Sequence, residues 1–148
     1  MISVCNGLGR IIFGRLFDKA GNKHTMLIIN LLLLFAGLIL LVAIQSGVFF
    51  ILIAGFVLLG IDYGGSPLVC AAYTRSAYGN NHFASNFSIA NMNLLGASFS
   101  AAISGMLFDV SHSYISTMLF LIMLGLVAMI LLFMLNKRSY RGVQNSFN

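Results

Sequence analysis

The sequence predicts an all-α, polytopic membrane helix bundle, and three observations carry that prediction. Of the 148 residues, 59% are hydrophobic and only 7% charged, with a mean hydropathy of +0.98. A water-soluble domain carries about a quarter charged residues, so the surface of this chain cannot face water. The apolar residues gather in blocks that reach the roughly 20 residues a helix needs to cross a bilayer. Within the blocks the apolar run is continuous, as in Leu31-Leu32-Leu33-Leu34-Phe35, whereas a membrane β-barrel alternates apolar and polar positions.

The elements follow in order. Met1 to about Leu16 makes a partial span of only about 24 Å, and a polar loop runs from Phe17 to His24. The first full span is expected from about Thr25 to Ile44 and ends at the turn-forming Gln45-Ser46-Gly47. A second span covers about Val48 to Tyr73, and Thr74 to Asn81 is a loop in which Gly79 and two asparagines suit a turn. The third full span runs from about His82 to Phe108, Asp109 to Ser113 makes the next turn, and Tyr114 to Leu135 is the last span. The transmembrane bundle therefore occupies residues 1–136, and residues 137–148 form a polar tail.

Orientation comes from the basic residues. Arg15, Lys19, Lys23, Arg75, Lys137, Arg138 and Arg141 all fall in connections on one side, while the opposite connections carry Asp109 and His112 and no Lys or Arg. Basic residues concentrate on the cytoplasmic side. The Phe17–His24 loop, the Thr74–Asn81 loop and the C-terminal tail are thus expected in the cytoplasm of a plasma or inner membrane. This places Met1 towards the outer side, partway through a span, which suggests a fragment of a longer protein. The first apolar stretch is short, is interrupted by Arg10 and has its charges after it, so it does not read as a secretory signal.

The same residues weigh against other functions. The net charge of +5 is spent on membrane flanks, and no nucleic-acid-binding motif accompanies it. Cys5 and Cys70 stand alone in apolar segments, which suits small helix-interface residues and neither a disulfide framework nor a metal site. His24, His82 and His112 fall at membrane boundaries. No nucleophile is accompanied by a His and an acid, and no phosphate-binding glycine loop is present, so neither an enzyme, a cofactor nor an ATP-driven pump is indicated.

Two charges lie inside spans. Arg10 precedes Asp18 by about 12 Å of helix, where a charge costs at least about 2.5 kcal/mol and is usually functional. Asn6, Arg10 and Gly14 recur every fourth residue and share a helix face. A guanidinium so placed can hold a carboxylate through paired hydrogen bonds, or it can snorkel to the cytoplasmic interface. Asp62 is the second charge, with three readings: a proton-coupling acid, an ion-pair partner for Arg10, or a neutral acid facing the bundle. In the third full span, Asn91 and Asn93 are cavity candidates, while the small residues Gly96, Ser100 and Ser104 suit close helix packing. Gly60, Gly64, Gly65 and Pro67 should let the second span bend or pack closely, as a gate would.

The loop after the partial span reads Gly14-Arg15-Leu16-Phe17-Asp18-Lys19-Ala20-Gly21-Asn22-Lys23. It resembles the signature loop of the major facilitator superfamily, G-x-L-x-D-[RK]-x-G-[RK]-[RK]. Gly14, Leu16, Asp18, Lys19, Gly21 and Lys23 match it, and Asn22 departs from it. The resemblance implies a gating loop on the cytoplasmic side, between the second and third helices of a six-helix half. Its Asp would cap a neighbouring helix and pair with a basic residue. The start of the third full span, Asn81 to Ala84, offers free N–H groups and a positive dipole end for Asp18. The spans that follow the loop suit the C-terminal half, as a truncated eighth helix and helices nine to twelve.

Asn6-Gly7-Leu8-Gly9-Arg10 and Tyr63-Gly64-Gly65-Ser66, with a weaker echo at Asn86-Phe87-Ser88, are similar to segments of the oxalate/formate antiporter group. That resemblance implies that Arg10 faces a central cavity and binds the substrate carboxylate. Members that take dicarboxylates add a Lys in helix eleven, and no Lys or Arg lies between His82 and Phe108. A monocarboxylate such as formate, lactate or pyruvate, or another small organic anion, fits one cation better. The expected function is secondary transport of such an anion, as antiport or with a proton. The alternative is an inactive fragment or membrane subunit that needs the missing N-terminal half or a partner chain. A glycosylation acceptor inserted at Asp109–Ser113 should be modified in a eukaryotic membrane. An unmodified acceptor there, with modification of one in the C-terminal tail, would reverse the topology.

Overall fold

The computed structural model describes residues 2–79 and 83–145. It is 94% helical and has no strand among the described residues. The helices are α1 (Ile2–Ser46), α2 (Phe49–Tyr78), α3 (Phe83–Ala90), α4 (Asn93–Ser111) and α5 (Ile115–Asn145). Among the described residues, 4 candidate membrane spans are long and apolar enough to cross a bilayer, the α3–α4 pair counting as one.

A straight helix the length of α1 would be about 68 Å long, twice a bilayer's hydrocarbon core of about 30 Å. The chain resolves this at Gly21, whose φ of 74° and ψ of 176° leave the helical region. A positive φ is open to glycine at little cost, so one residue ends the first helical half and begins the second. Thr25, fully buried, donates its hydroxyl to the Gly21 carbonyl oxygen at 2.9 Å. The His24 ring Nδ1 lies 3.1 Å from the Ala20 carbonyl oxygen, a group that the kink strips of its helical N–H partner. The expected Phe17–His24 loop is thus corrected. Ala20 and its lysine and leucine neighbours are good helix formers, and Gly21 alone makes the bend. The break at Gln45-Ser46-Gly47 is observed: Gly47 has φ 66° and its N–H closes on the Ala43 carbonyl oxygen at 3.0 Å.

The packed centre is α1 against α2, with α5 added on the outside. In the second half of α1, Leu40, Ala36 and Ala43 are buried, and Leu40 fills the space over Gly55. Gly37 faces Leu121 and Ile122, while Gly125 faces Leu34 and Leu33. These pairs run in opposite chain directions, so α5 is antiparallel to this part of α1. Buried Asn30 reaches the same seam, donating to the Gly125 carbonyl oxygen at 3.4 Å and to the Met129 sulfur at 3.5 Å.

In the first half of α1, the contact with α2 is closer still. A side chain at Gly9 would run into the Ile61 carbonyl oxygen, one at Gly64 into the Asn6 carbonyl oxygen, and one at Gly65 into the Phe13 ring. The backbones therefore touch. Cys5, Gly9 and Phe13 form the buried stripe on α1.

Three further expectations change. The third full span is not one helix but α3 and α4, with a turn at Asn91 and Met92. Around it, hydrogen bonds tighten to three-residue spacing, Met92 N–H to Ile89 at 3.1 Å and Leu95 N–H to Met92 at 3.0 Å. Asparagine disfavours a regular helix interior by offering its own hydrogen bonds to the backbone. Helix α2 continues to Tyr78 before Gly79 turns the chain, and α4 continues to Ser111. Helix α5 runs to Asn145, into the polar tail. Lys, Arg and Gln sustain helix well. No described residue of α3 or α4 is buried, and large apolar side chains such as Phe50 and Val110, 81% and 86% exposed, point away from the bundle.

The α1–α2 crossing is testable by overpacking. Gly64→Leu or Gly9→Leu must push the backbones apart, and a loss of about 1–3 kcal/mol is expected. Gly7→Ala, in open space, should be neutral or slightly stabilising. Reversible unfolding in mixed micelles measures the difference, and equal effects at Gly7 and Gly64 would contradict the contact.

Candidate functional site

The Gly9–Ile61, Phe13–Gly65 and Gly14–Leu68 pairs advance together along both helices, so the first half of α1 and α2 run in the same direction. Successive helical residues step about 100° in the same sense. Where two parallel helices touch, the residues that follow the contact therefore turn to opposite sides. Arg10 and Asp62 are those residues, one after Gly9 and the other after Ile61.

Burial agrees with this geometry. Arg10 is exposed, with half-buried Asn6 and half-buried Gly14 on its face. Asp62 is only 6% exposed, and its Oδ1 has no hydrogen-bond partner among the described residues. No ion pair joins Arg10 to Asp62 among the described residues, so the ion-pair reading has no contact behind it. An unpaired carboxyl inside a bundle is an expensive group, and the nearest turn of its own helix offers Ser66, half-buried, on the same face.

The signature loop lies at the kink. Asp18, Lys19 and Lys23 are exposed around Gly21. Asp18 makes no ion pair among the described residues, and half of its expected partner segment, Asn81 and His82, lies outside the described residues. Asn91 is half-buried at the α3–α4 turn, its N–H bonded to the Phe87 carbonyl oxygen at 2.9 Å. The Asn93 side chain lies outside the described residues. Gly60, Gly64 and Gly65 are buried, whereas Pro67 is exposed and α2 passes through it without interruption.

The structure therefore brings Asn6, Gly64 and Gly65 together at one crossing, with Arg10 on one flank and Asp62 on the other. It does not bring Asn91 to Arg10 by any contact among the described residues. Sequence reasoning missed Gly9 and Asn30. Gly9 stands four residues after Cys5, and Gly60 four before Gly64, a small-residue spacing that allows helices to approach closely. Asn30 is a lone amide in an apolar run, the mark of a buried polar group with a specific partner. No group of three or more His, Cys, Asp or Glu that could hold a metal is found among the described residues. Both cysteines are free.

A family model, Major Facilitator Superfamily, matches residues 1–148. The chain belongs to that superfamily of secondary membrane transporters. No curated protein and no solved structure matches the chain.

Asp62 offers a direct check of this geometry. Replacing an unpartnered buried polar group by an apolar one of similar volume removes its desolvation cost. Asp62→Leu should therefore stabilise the bundle, by about 1–3 kcal/mol, in the micelle unfolding experiment. A loss of stability would mean that the carboxyl has a partner.

Proposed function

We propose that this superfamily member moves a small organic anion, a monocarboxylate such as formate, lactate or pyruvate, with Arg10 as the carboxylate-binding group. The observation that carries the reading is the setting of Arg10. It is a cation within a membrane-spanning helix, exposed on the bundle surface, with no partner among the described residues. Its neighbour one turn back, Asn6, supplies an amide on the same face. A guanidinium in this position needs a counter-charge, and a carboxylate satisfies it with two parallel hydrogen bonds. The similarity of Asn6–Arg10 and Tyr63–Ser66 to the oxalate/formate antiporter group supports the same substrate class. The lack of any Lys or Arg from Phe83 to Phe108 supports one carboxylate over two.

Asn91 and Asn93, at the turn between α3 and α4, are the amides we assign to the remaining polar groups of the substrate. Tightened turns within a spanning helix recur at functional hinges. Asp62 is the candidate for proton coupling. Lying on the far side of the α1–α2 crossing, it acts on Arg10 through helix position rather than by contact. Asp18, Lys19 and Lys23, at the Gly21 bend, form the cytoplasmic gate, and Gly60, Gly64, Gly65 and Pro67 form the helix surface that moves against it.

The same observation favours a second reading. The exposed face that carries Arg10 is one wall of a site, and the described helices supply no opposite wall to it. A second set of helices, from an N-terminal half or from a partner chain, would close it, and this chain alone would then be inactive. Uptake of labelled formate and lactate into liposomes separates the readings. Arg10→Gln is expected to reduce uptake about 10- to 100-fold, the loss of one charge-assisted bond pair, with partial retention in Arg10→Lys. Uptake unchanged in Arg10→Gln would remove Arg10 from the site. Absence of uptake by the chain alone, restored by a second chain, would select the second reading.

A further inference from the structure

A cavity of about 240 Å³ opens between the second half of α1, the second half of α2 and α5. Met26, Ile29, Val69, Ala128 and Leu132 make its walls apolar, with Asn30, Ser66, Cys70 and Tyr73 as its polar residues. It lies on the opposite flank of α2 from Arg10 and takes no part in the anion site. In water such a groove would close; in a bilayer it borders the acyl chains.

Its position along the helices is specific. Lys23 stands one turn before Met26, on the same face of α1, and is exposed at the Gly21 bend. Arg75 follows Tyr73 on α2, and Lys137 and Arg138 follow Leu132 in the sequence of α5. Each of the three elements that line the groove thus turns basic just beyond the same end of it. At the other end of the bundle, the last turn of α4 carries Asp109 and the α4–α5 connection His112, with no Lys or Arg. An apolar slot whose flanking helices turn basic at one end matches an acyl chain joined to a negative headgroup, and neither a neutral lipid nor a polar solute.

We propose that this groove is a binding site for an anionic phospholipid, one acyl chain lying along Met26, Ile29, Val69 and Ala128 and the headgroup phosphate resting at Lys23. Tyr73, 41% exposed, stands at the boundary, where its ring stays among the chains and its hydroxyl reaches the headgroup. The bound chain bridges α1, α2 and α5 at the level of buried Asn30, which donates to the Gly125 carbonyl oxygen and the Met129 sulfur of α5. The lipid therefore adds to the seam between α5 and the α1–α2 pair. The assignment rests on the membrane orientation and is independent of the transported substrate.

The test uses the whole chain in micelles doped with phosphatidylglycerol and phosphatidylcholine of equal chain length, read by native mass spectrometry. Retention of phosphatidylglycerol over phosphatidylcholine is expected. Lys23→Gln should lower that preference about fivefold, the effect of one interfacial cation. Ala128→Phe fills the groove and should abolish retention. Equal retention of both lipids by the unaltered chain would overturn the proposal, as would unchanged phosphatidylglycerol retention in a helical, monodisperse Ala128→Phe variant. Should that variant not fold, phosphatidylglycerol bearing a photoreactive acyl chain decides. Cross-links confined to Val69–Tyr73 and Ala128–Leu132 support the site, and cross-links spread over α3 and α4 overturn it. A dimer that Ala128→Phe dissolves would assign the groove to a second copy of the chain instead. Because lipid retention is read without transport, its failure would leave the anion reading untouched, and loss of uptake in Arg10→Gln would leave the groove untouched.

Discussion

The backbone contact between α1 and α2 is the constraint on which the other features rest. In hydrocarbon the hydrophobic effect does not press helices together, because lipid tails are as apolar as leucine side chains. Close packing must do it, and close packing needs missing side chains. Gly9 under the Ile61 carbonyl, Gly64 under the Asn6 carbonyl and Gly65 under the Phe13 ring supply them at one point. The rest of the bundle is looser. Helix α5 adds a seam of Gly37 and Gly125 to the outside, and α3 and α4 bury no described residue.

That contact also sorts the charges. A membrane helix can hide an ionisable group only by turning it into the bundle or by giving it a partner. Because α1 and the touching part of α2 run in the same direction, the crossing turns Arg10 outward and Asp62 inward. One charge is left exposed and the other is enclosed. Had the helices been antiparallel at this point, the residues after the contact would have turned to the same side, and the pair could have neutralised itself. The parallel arrangement keeps the two charges apart.

Much of the fold was legible because the bilayer imposes simple rules. Continuous apolar blocks became helices, and Gly47 ended one where the turn residues placed it. The misses share a physical cause. Polarity was read as loop, yet the residues around Asp18 and Lys23 are polar and also good helix formers. Polarity marks where a chain leaves the membrane, not where its helix stops, and the single positive φ at Gly21 was the real boundary. The opposite error occurred at Asn91, where an apolar block was read as one helix although its asparagines compete for backbone hydrogen bonds. At the site, Arg10 and Asp62 were legible as costly charges. That the crossing separates them was not, since it depends on Gly9, whose only signal is a four-residue spacing from another small residue.

The bend at Gly21 links the α1–α2 contact to the signature loop. With no flexible loop between the two halves of α1, a tilt of the first half about Gly9 must be absorbed at Gly21 or passed to the second half. The second half is held by Leu40 over Gly55 and by the α5 seam, so the glycine takes up the difference. Asp18, Lys19 and Lys23 stand on either side of that bend and change their spacing when it moves. The signature loop is thus the far end of a short lever whose pivot, the α1–α2 contact at Gly9, lies beside Arg10. A change of tilt at that contact would be felt at Asp18 without any chain of side-chain contacts between them, since a helix of this length transmits tilt as a rigid body.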